Sequence, residues 1–372
     1  MHTEKTPSKI YFEHLDIIRF IAAFMIIIMH GYEAWKGWFG NNITIFDNEY
    51  GDRFIGNFGI GVDIFFLISG FLITYILLEE KKRFGKIHIW KFMMRRTIRI
   101  WPLYFLLIIL APFFVKITHS TSPSYLENIF FLGNFEVIKS GKWAYPFAHF
   151  WSIAIEEHFY LVWPFIIALI PNKHLLKTFV FLIILSISFR LYTFLTSGYA
   201  WFEIYLHTLS RIDVLIIGGI GAYHYSNKKF HFQLSTLIRR SLFVVLITIL
   251  AVQSTVNWNS LFMAGFLKYT YISIIAALLL DYNLNPNYKH ILPNKSFIHY
   301  LGKISYGIYM YGNILLLIVI RKIMLPLGFS SVWVFYLFVI GLSIIVPIIS
   351  YEIFEKRILK LNKYFRVIKT DR

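Results

Sequence analysis

The chain has 372 residues, 57% of them hydrophobic, 19% aromatic and 15% charged, with a formal net charge of +17 and no cysteine. A soluble domain is ~45–50% apolar and ~25% charged, so an ordinary soluble enzyme, a disordered chain and a coiled coil are excluded. Without cysteine there is no disulfide, no thiolate metal site and no cysteine nucleophile.

Crossing the hydrocarbon core takes ~20 mostly apolar residues. In chain order such stretches fall at 16–36, 57–78, 99–115, 150–170, 178–196, 212–226, 241–257, 262–281, 301–320 and 333–352. They predict an all-α polytopic integral membrane protein of about ten transmembrane helices. The third and sixth stretches are short, which points to tilt or partial re-entry. The first starts after Asp16, carries Arg19 and His30, and lacks a small-residue cleavage site, so it does not read as a signal peptide. The organisation expected is an N-terminal tail (1–14), one membrane domain (15–355) with no appended soluble domain, and a basic C-terminal tail (356–372).

Of the 37 Lys and Arg, 26 fall in the segments that alternate crossing puts on the side of the N-terminus, 8 on the other side and 3 within spans. Positive charge concentrates on the cytoplasmic side, so both termini are expected to be cytoplasmic. The +17 then reflects topology and contact with lipid headgroups rather than a nucleic-acid surface.

Ionisable side chains at membrane depth are costly, and each suggests a function. Arg19 and His30 lie 11 residues apart in the first helix, ~16 Å along its axis and on nearly the same face. Arg19 falls near the cytoplasmic end and His30 in the outer half, where a packed, hydrogen-bonded histidine is the alternative to a functional one. The second helix runs back inward and opens Gly59-Ile60-Gly61-Val62-Asp63, so Asp63 is expected at the depth of His30, paired with a cation or orienting a histidine. Ser69-Gly70 further along reads as a small-residue helix contact.

The segment from Lys81 to Arg99 holds eight cations in 19 residues and ends Arg95-Arg96-Thr97-Ile98-Arg99. Topology explains part of this charge. Three arginines at the start of a helix, where the dipole disfavours cations, also suit bidentate capture of a polyphosphate. No glycine-rich phosphate loop accompanies them. The fourth helix opens His149-Phe150-Trp151-Ser152 and carries adjacent Glu156 and Glu157, which diverge by ~100° around the axis. One of the two can join His30 and Asp63 as a base with its orienting acids.

These strings together resemble the acyltransferase-3 family of integral-membrane acyltransferases, from about Leu15 to Glu355. Arg19 and His30 match its arginine-x10-histidine signature, and Gly61 to Phe71 its second-helix motif. Arg95-Arg96-x-x-Arg99-Ile100-x-Pro102-x-Tyr104 is similar to its basic cytoplasmic motif, and Trp151-Ser152 through Glu156 to Tyr160 to its fourth-helix motif, which selects Glu156 over Glu157. Arg211-x-Asp213, Ser305-Tyr306 with Tyr309, and Tyr351 with Glu355 fit weaker later motifs. One departure is that Tyr311-Gly312-Asn313 stands where the family commonly has an aromatic residue followed by histidine.

The resemblance implies transfer of an acyl group, usually acetyl, from cytoplasmic acyl-coenzyme A to a hydroxyl of a carbohydrate such as a cell-surface or lipid-linked glycan. It implies a bacterial-type cytoplasmic membrane as the location, acyl-coenzyme A as co-substrate, no permanently bound cofactor and no metal. On that reading His30, Asp63, Glu156 and Arg19 are catalytic, and Arg95, Arg96, Arg99 and Tyr104 hold the donor. Acyl-coenzyme A, the carbohydrate acceptor and membrane lipids are the expected partners. An inactive relative serving a glycan-export complex and a secondary transporter for an anion are the alternatives. The transporter is disfavoured by the lack of a sequence repeat.

Overall fold

The computed structural model describes residues 12–40, 49–197, 201–227 and 297–368, with isolated helical positions between 237 and 248. The predicted spans 241–257 and 262–281 lie outside the continuously described residues. Among the described residues the secondary structure is helical, without strands. Eight segments are long and apolar enough to cross a membrane: Leu15–Phe39, Glu49–Phe84, Ile89–Thr118, Phe150–Leu169, Asn172–Ser197, Trp201–Ser226, Ser305–Met324 and Val332–Phe365. The chain is thus an all-α, multi-pass membrane protein.

The elements are α1 (Glu13–Phe39), α2 (Glu49–Gly56), α3 (Ile60–Phe84), α4 (Ile89–Thr118), α5 (Tyr125–Ile129), α6 (Gly133–Ser140), α7 (Phe150–Leu169), α8 (Asn172–Ser197), α9 (Trp201–Leu206) and α10 (Thr208–Ser226). After the residues not described come α11 (Phe297–Lys303), α12 (Ser305–Ile318) with a π-helical continuation (Val319–Met324), and α13 (Val332–Ser350) with a second π-helical stretch (Tyr351–Glu355). The third and sixth spans are not short. Helix α4 carries its basic residues as an amphipathic extension of 30 residues in all, because arginine and lysine are good helix formers that a hydropathy window cuts away. Helices α9 and α10 break only at His207, whose side chain accepts from the amide of Leu209.

Lipid is as apolar as a leucine side chain, so helices in a bilayer associate through close packing rather than the hydrophobic effect. A tight seam joins α3 to α10. A Cβ on Gly70 would overlap the carbonyl of Leu215, and one on Gly218 would overlap that of Leu67. Each glycine admits the backbone of the other helix. Around this seam the largest core gathers Phe66, Phe71, Tyr104, Phe150, Trp163 and Phe179, each under 2% exposed. A second core packs Trp35 of α1 against Phe335 and Val339 of α13.

The cations of α3 close the ends of its neighbours. Lys81 Nζ donates to the carbonyls of Ile167 and Ile170 at 2.6 and 2.8 Å, where α7 has run out of amides, and Lys82 reaches Ser226 Oγ at the end of α10 at 2.6 Å. Helices α3, α7 and α10 therefore end on one side, and their beginnings frame the opposite side.

Candidate active site

At those beginnings lies a cavity of about 240 Å³, with His30, Glu33, Asp63, His149, Tyr309 and Asn313 in its wall. Helix α1 presents His30 and, one turn on, Glu33. Their side chains meet with Nδ1 3.3 Å from Oε2, and Glu33 is half exposed. Neutral imidazole has one N–H, so a carboxylate against Nδ1 fixes the proton there and leaves Nε2 as the free lone pair.

Asp63 comes from the first turn of α3 and is buried. It does pair with a cation, but the cation is Arg211 of α10, whose Nη2 donates to Oδ1 at 2.5 Å. Arg211 is fully buried and lies over the ring of Tyr205 at 5.1 Å. The positive-inside count put it in an outer loop. Asp63 and Arg211 form a neutral pair in the cavity wall, and the carboxylate beside His30 belongs to Glu33.

His149 precedes α7 and is 3% exposed. Its Nε2 lies 3.0 Å from the carbonyl of Met310 and its Nδ1 3.4 Å from Nδ2 of Asn313. Burial, reinforced by the nearby His30, holds this imidazole well below its ordinary value. The Tyr309 hydroxyl donates to the His149 carbonyl at 3.1 Å and lies 2.7 Å from Ser152 Oγ. Asn313, the departure from the family pattern, is thus tied to a histidine on another helix.

Glu156 does not join this group. Helix α7 begins only at Phe150, so Glu156 sits seven residues, ~10 Å, beyond His149 along the helix. Its Oε2 accepts from Tyr160 at 3.0 Å, Tyr160 bonds Ser69, and the charges of Arg96 and Arg99 act on it. Glu157 turns away to accept from Trp101 Nε1 at 3.0 Å. Arg99 also acts on Glu355, in the second π-helical stretch, whose Oε1 accepts from Ser350. A second charged cluster thus lies deeper in the bundle, toward the Lys81 side.

The arginines divide. Arg95 is already engaged: Nη1 donates to the carbonyl of Phe365 at 2.8 Å and Nη2 lies 3.4 Å from Glu80. Glu80 is fully buried and also accepts from the His88 amide at 2.6 Å. Arg95 therefore holds the loop before α4 and the C-terminal segment, and does not match the donor-binding role expected of it. Arg96 lies over the rings of Phe92 and Tyr160, and its buried Nε has no hydrogen-bond partner. An unmet guanidinium donor suits an incoming anion.

Two other expectations change. Tyr104 is fully buried, stacked on Phe131 at 4.6 Å, and its hydroxyl donates to the carbonyl of Asn128 at 2.8 Å. It anchors α5 and is not beside the arginines, because α4 carries it more than a turn past Arg99. Arg19 pairs with Asp16 at 3.2 Å, away from the cavity wall. Of the expected catalytic set, His30 and Asp63 share the cavity, while Glu156 and Arg19 do not. Glu33, His149 and Arg211 were missed. Glu33 was findable as the i+3 neighbour of His30. Arg211 was read only as part of a weaker motif, Arg211-x-Asp213, without a role, and His149 only as the first residue of a string read for Glu156.

The family model for an acyltransferase domain matches residues 12–352. The O-acetyltransferase OatA of Staphylococcus aureus is 29% identical over 236 residues, covering 59% of this chain and 36% of that one. A putative O-acetyltransferase of the same species, strain COL, is 26% identical over 327 residues, 81% of this chain and 50% of the relative. The chain thus spans about a third to a half of the length of these curated relatives. No solved structure matches it significantly. With a match that takes in α1 to α13, the cavity wall and all of the second cluster but Glu355, the chain belongs to the acyltransferase-3 family.

Proposed function

We propose that the protein is an O-acetyltransferase that takes acetyl from cytoplasmic acetyl-coenzyme A and places it on a hydroxyl of a carbohydrate at the cell surface or on a lipid carrier. It would do so in the cytoplasmic membrane of a bacterium, with both termini inside. The observation that carries this reading is the pair of sites stacked in one bundle. His30 with Glu33 occupies a cavity at one end, and toward the other Arg96 offers an unmet guanidinium donor with the charge of Arg99 beside it. The relatives' names, which are those of O-acetyltransferases, support it.

Coenzyme A carries a diphosphate and a ribose phosphate, which Arg96 and Arg99 would bind by charge-assisted hydrogen bonds. The pantetheine arm would lead the thioester past Tyr160 and Tyr309 toward His30. His30 Nε2 takes the proton of the acceptor hydroxyl as its oxygen bonds to the acyl carbon. The carbon–sulfur bond breaks, and the proton passes from the imidazolium to the leaving sulfur, which departs as coenzyme A thiol. Glu33 holds the Nδ1 proton throughout and stabilises the imidazolium between these two transfers.

The test is release of coenzyme A by purified protein given acetyl-coenzyme A and glycan acceptors, with the product read by mass for the gain of one acetyl group. Release coupled to acetylated acceptor is expected. Transport of an anion without thioester cleavage, or no release with any acceptor while the protein binds a partner, would replace this reading with one of the other two.

A further inference from the structure

A second, smaller void adjoins the main cavity. Its volume is about 10 Å³, and Ala23, Ile26, Ile27, Gly312 and Leu316 line it together with His30 and Asn313. A void of ~10–15 Å³ by this measure holds one group of water or methyl size. Ala23, Ile26, Ile27 and Leu316 are aliphatic and 6% exposed or less, so the far wall of the void is apolar and suits a methyl group. The polar groups that line both spaces, His30, His149, Tyr309 and Asn313, mark the place where the two meet.

We infer that this void is the acyl subsite and that it limits the transferred group to two carbons. The inference rests on the reading of the cavity as the site of acyl transfer. The methyl of an acetyl group occupies the void and its carbonyl carbon lies at the junction, beside His30. Asn313 gives one amide N–H to His149 and has a second for the carbonyl oxygen. Gly312 leaves the space open. A Cβ at this position would come 3.6 Å from Ile27 Cγ1, an ordinary contact, so alanine fits and fills the void. Interiors are close-packed, and an added methylene has nowhere to go unless Ile27 or Leu316 is shortened.

The experiment compares acetyl-, propionyl- and butyryl-coenzyme A as donors for purified protein, following release of coenzyme A. A fitted pocket discriminates by ~10–200-fold per methylene, so kcat/KM should fall by about tenfold or more at each step. Leu316→Ala should raise the butyryl-to-acetyl ratio by at least about tenfold. Gly312→Ala should lower kcat/KM for acetyl-coenzyme A by a similar factor while free coenzyme A still binds. Should Leu316→Ala fail to fold, the conservative Ile27→Val reads the same shift in the propionyl-to-acetyl ratio. Equal use of the three thioesters by the unaltered protein overturns the subsite, as does a folded Leu316→Ala or Ile27→Val protein with an unchanged ratio. Turnover of no thioester at all is a different outcome: it overturns the acyl-coenzyme A reading and the subsite falls with it.

Discussion

Nδ1 of His30 lies 3.3 Å from Oε2 of Glu33, one turn along the same helix, and it is Glu33 rather than Asp63 that places a carboxylate against this imidazole. Loss of a general base costs ~10²–10⁴-fold in rate, and His30→Ala should fall in that range with coenzyme A affinity kept. Glu33→Gln should lower kcat by about tenfold or more and leave KM for the donor near its original value, because it disturbs the tautomer and not the binding. Steady-state kinetics of the two variants check this. A Glu33→Gln enzyme of full kcat would leave Glu33 as a surface residue of the cavity rim.

The arginines should separate in the same assay. Arg96→Ala and Arg99→Ala should raise KM for the donor, and their difference from the unaltered protein should narrow as salt screens the attraction. Arg95→Ala should instead lower thermal stability, since it leaves the fully buried Glu80 with one partner fewer. Thermal melts in detergent beside titrations of coenzyme A binding distinguish the two effects.

Acid should loosen the cavity through His149. Burial depresses its folded-state pKa to about 3, against ~6.5 in an unfolded chain. Between those values the unfolded state binds the extra proton, so stability rises with pH. It should therefore be lost as pH falls below ~6.5, by up to ~1.4 kcal/mol per pH unit for this one group. Unfolding of the purified protein at stepped pH should show a shallower acid dependence in His149→Gln than in the unaltered protein.

The glycine seam predicts an outright folding defect. Gly70→Val or Gly218→Val sets a side chain against a backbone carbonyl of the facing helix, which cannot swing aside. The cost should exceed the ~1–3 kcal/mol of ordinary overpacking. Expression and size-exclusion profiles should show loss of folded protein for either, whereas Gly37→Ala, with open space around its Cβ position, should behave as the parent.

Composition and hydropathy made the fold class legible, because a span must be long and apolar whatever its neighbours are. The eight spans described all begin or end within a helix turn or two of stretches read from sequence, except where basic residues extend α4 and an aromatic turn precedes α10. The site was legible in its residue types and less so in its pairings. Asp63 was placed at the right level, but its cation comes from α10, 148 residues away, and no local pattern announces that partner. Glu156 was misplaced although hydropathy put the start of α7 in the right place, at Phe150, because it lies nearly two turns into that helix, and two turns carry a side chain from one cluster to the other. Arg95, Arg96 and Arg99 look equivalent in a basic run; only the buried Glu80 and the carbonyl of Phe365 set Arg95 apart.

Lys81 joins two bookkeepings usually kept separate. Its charge belongs to the run that counts toward orientation in the bilayer, and its ammonium also closes the last carbonyls of α7. That helix carries Glu156 at a fixed rise from the same end, so whatever holds its terminus sets how far Glu156 stands from Arg96. A neutral residue at Lys81 would thus change insertion and alignment together. Charge-swap scans of this basic segment, read only as topology, would mistake a sliding helix for an inverted one.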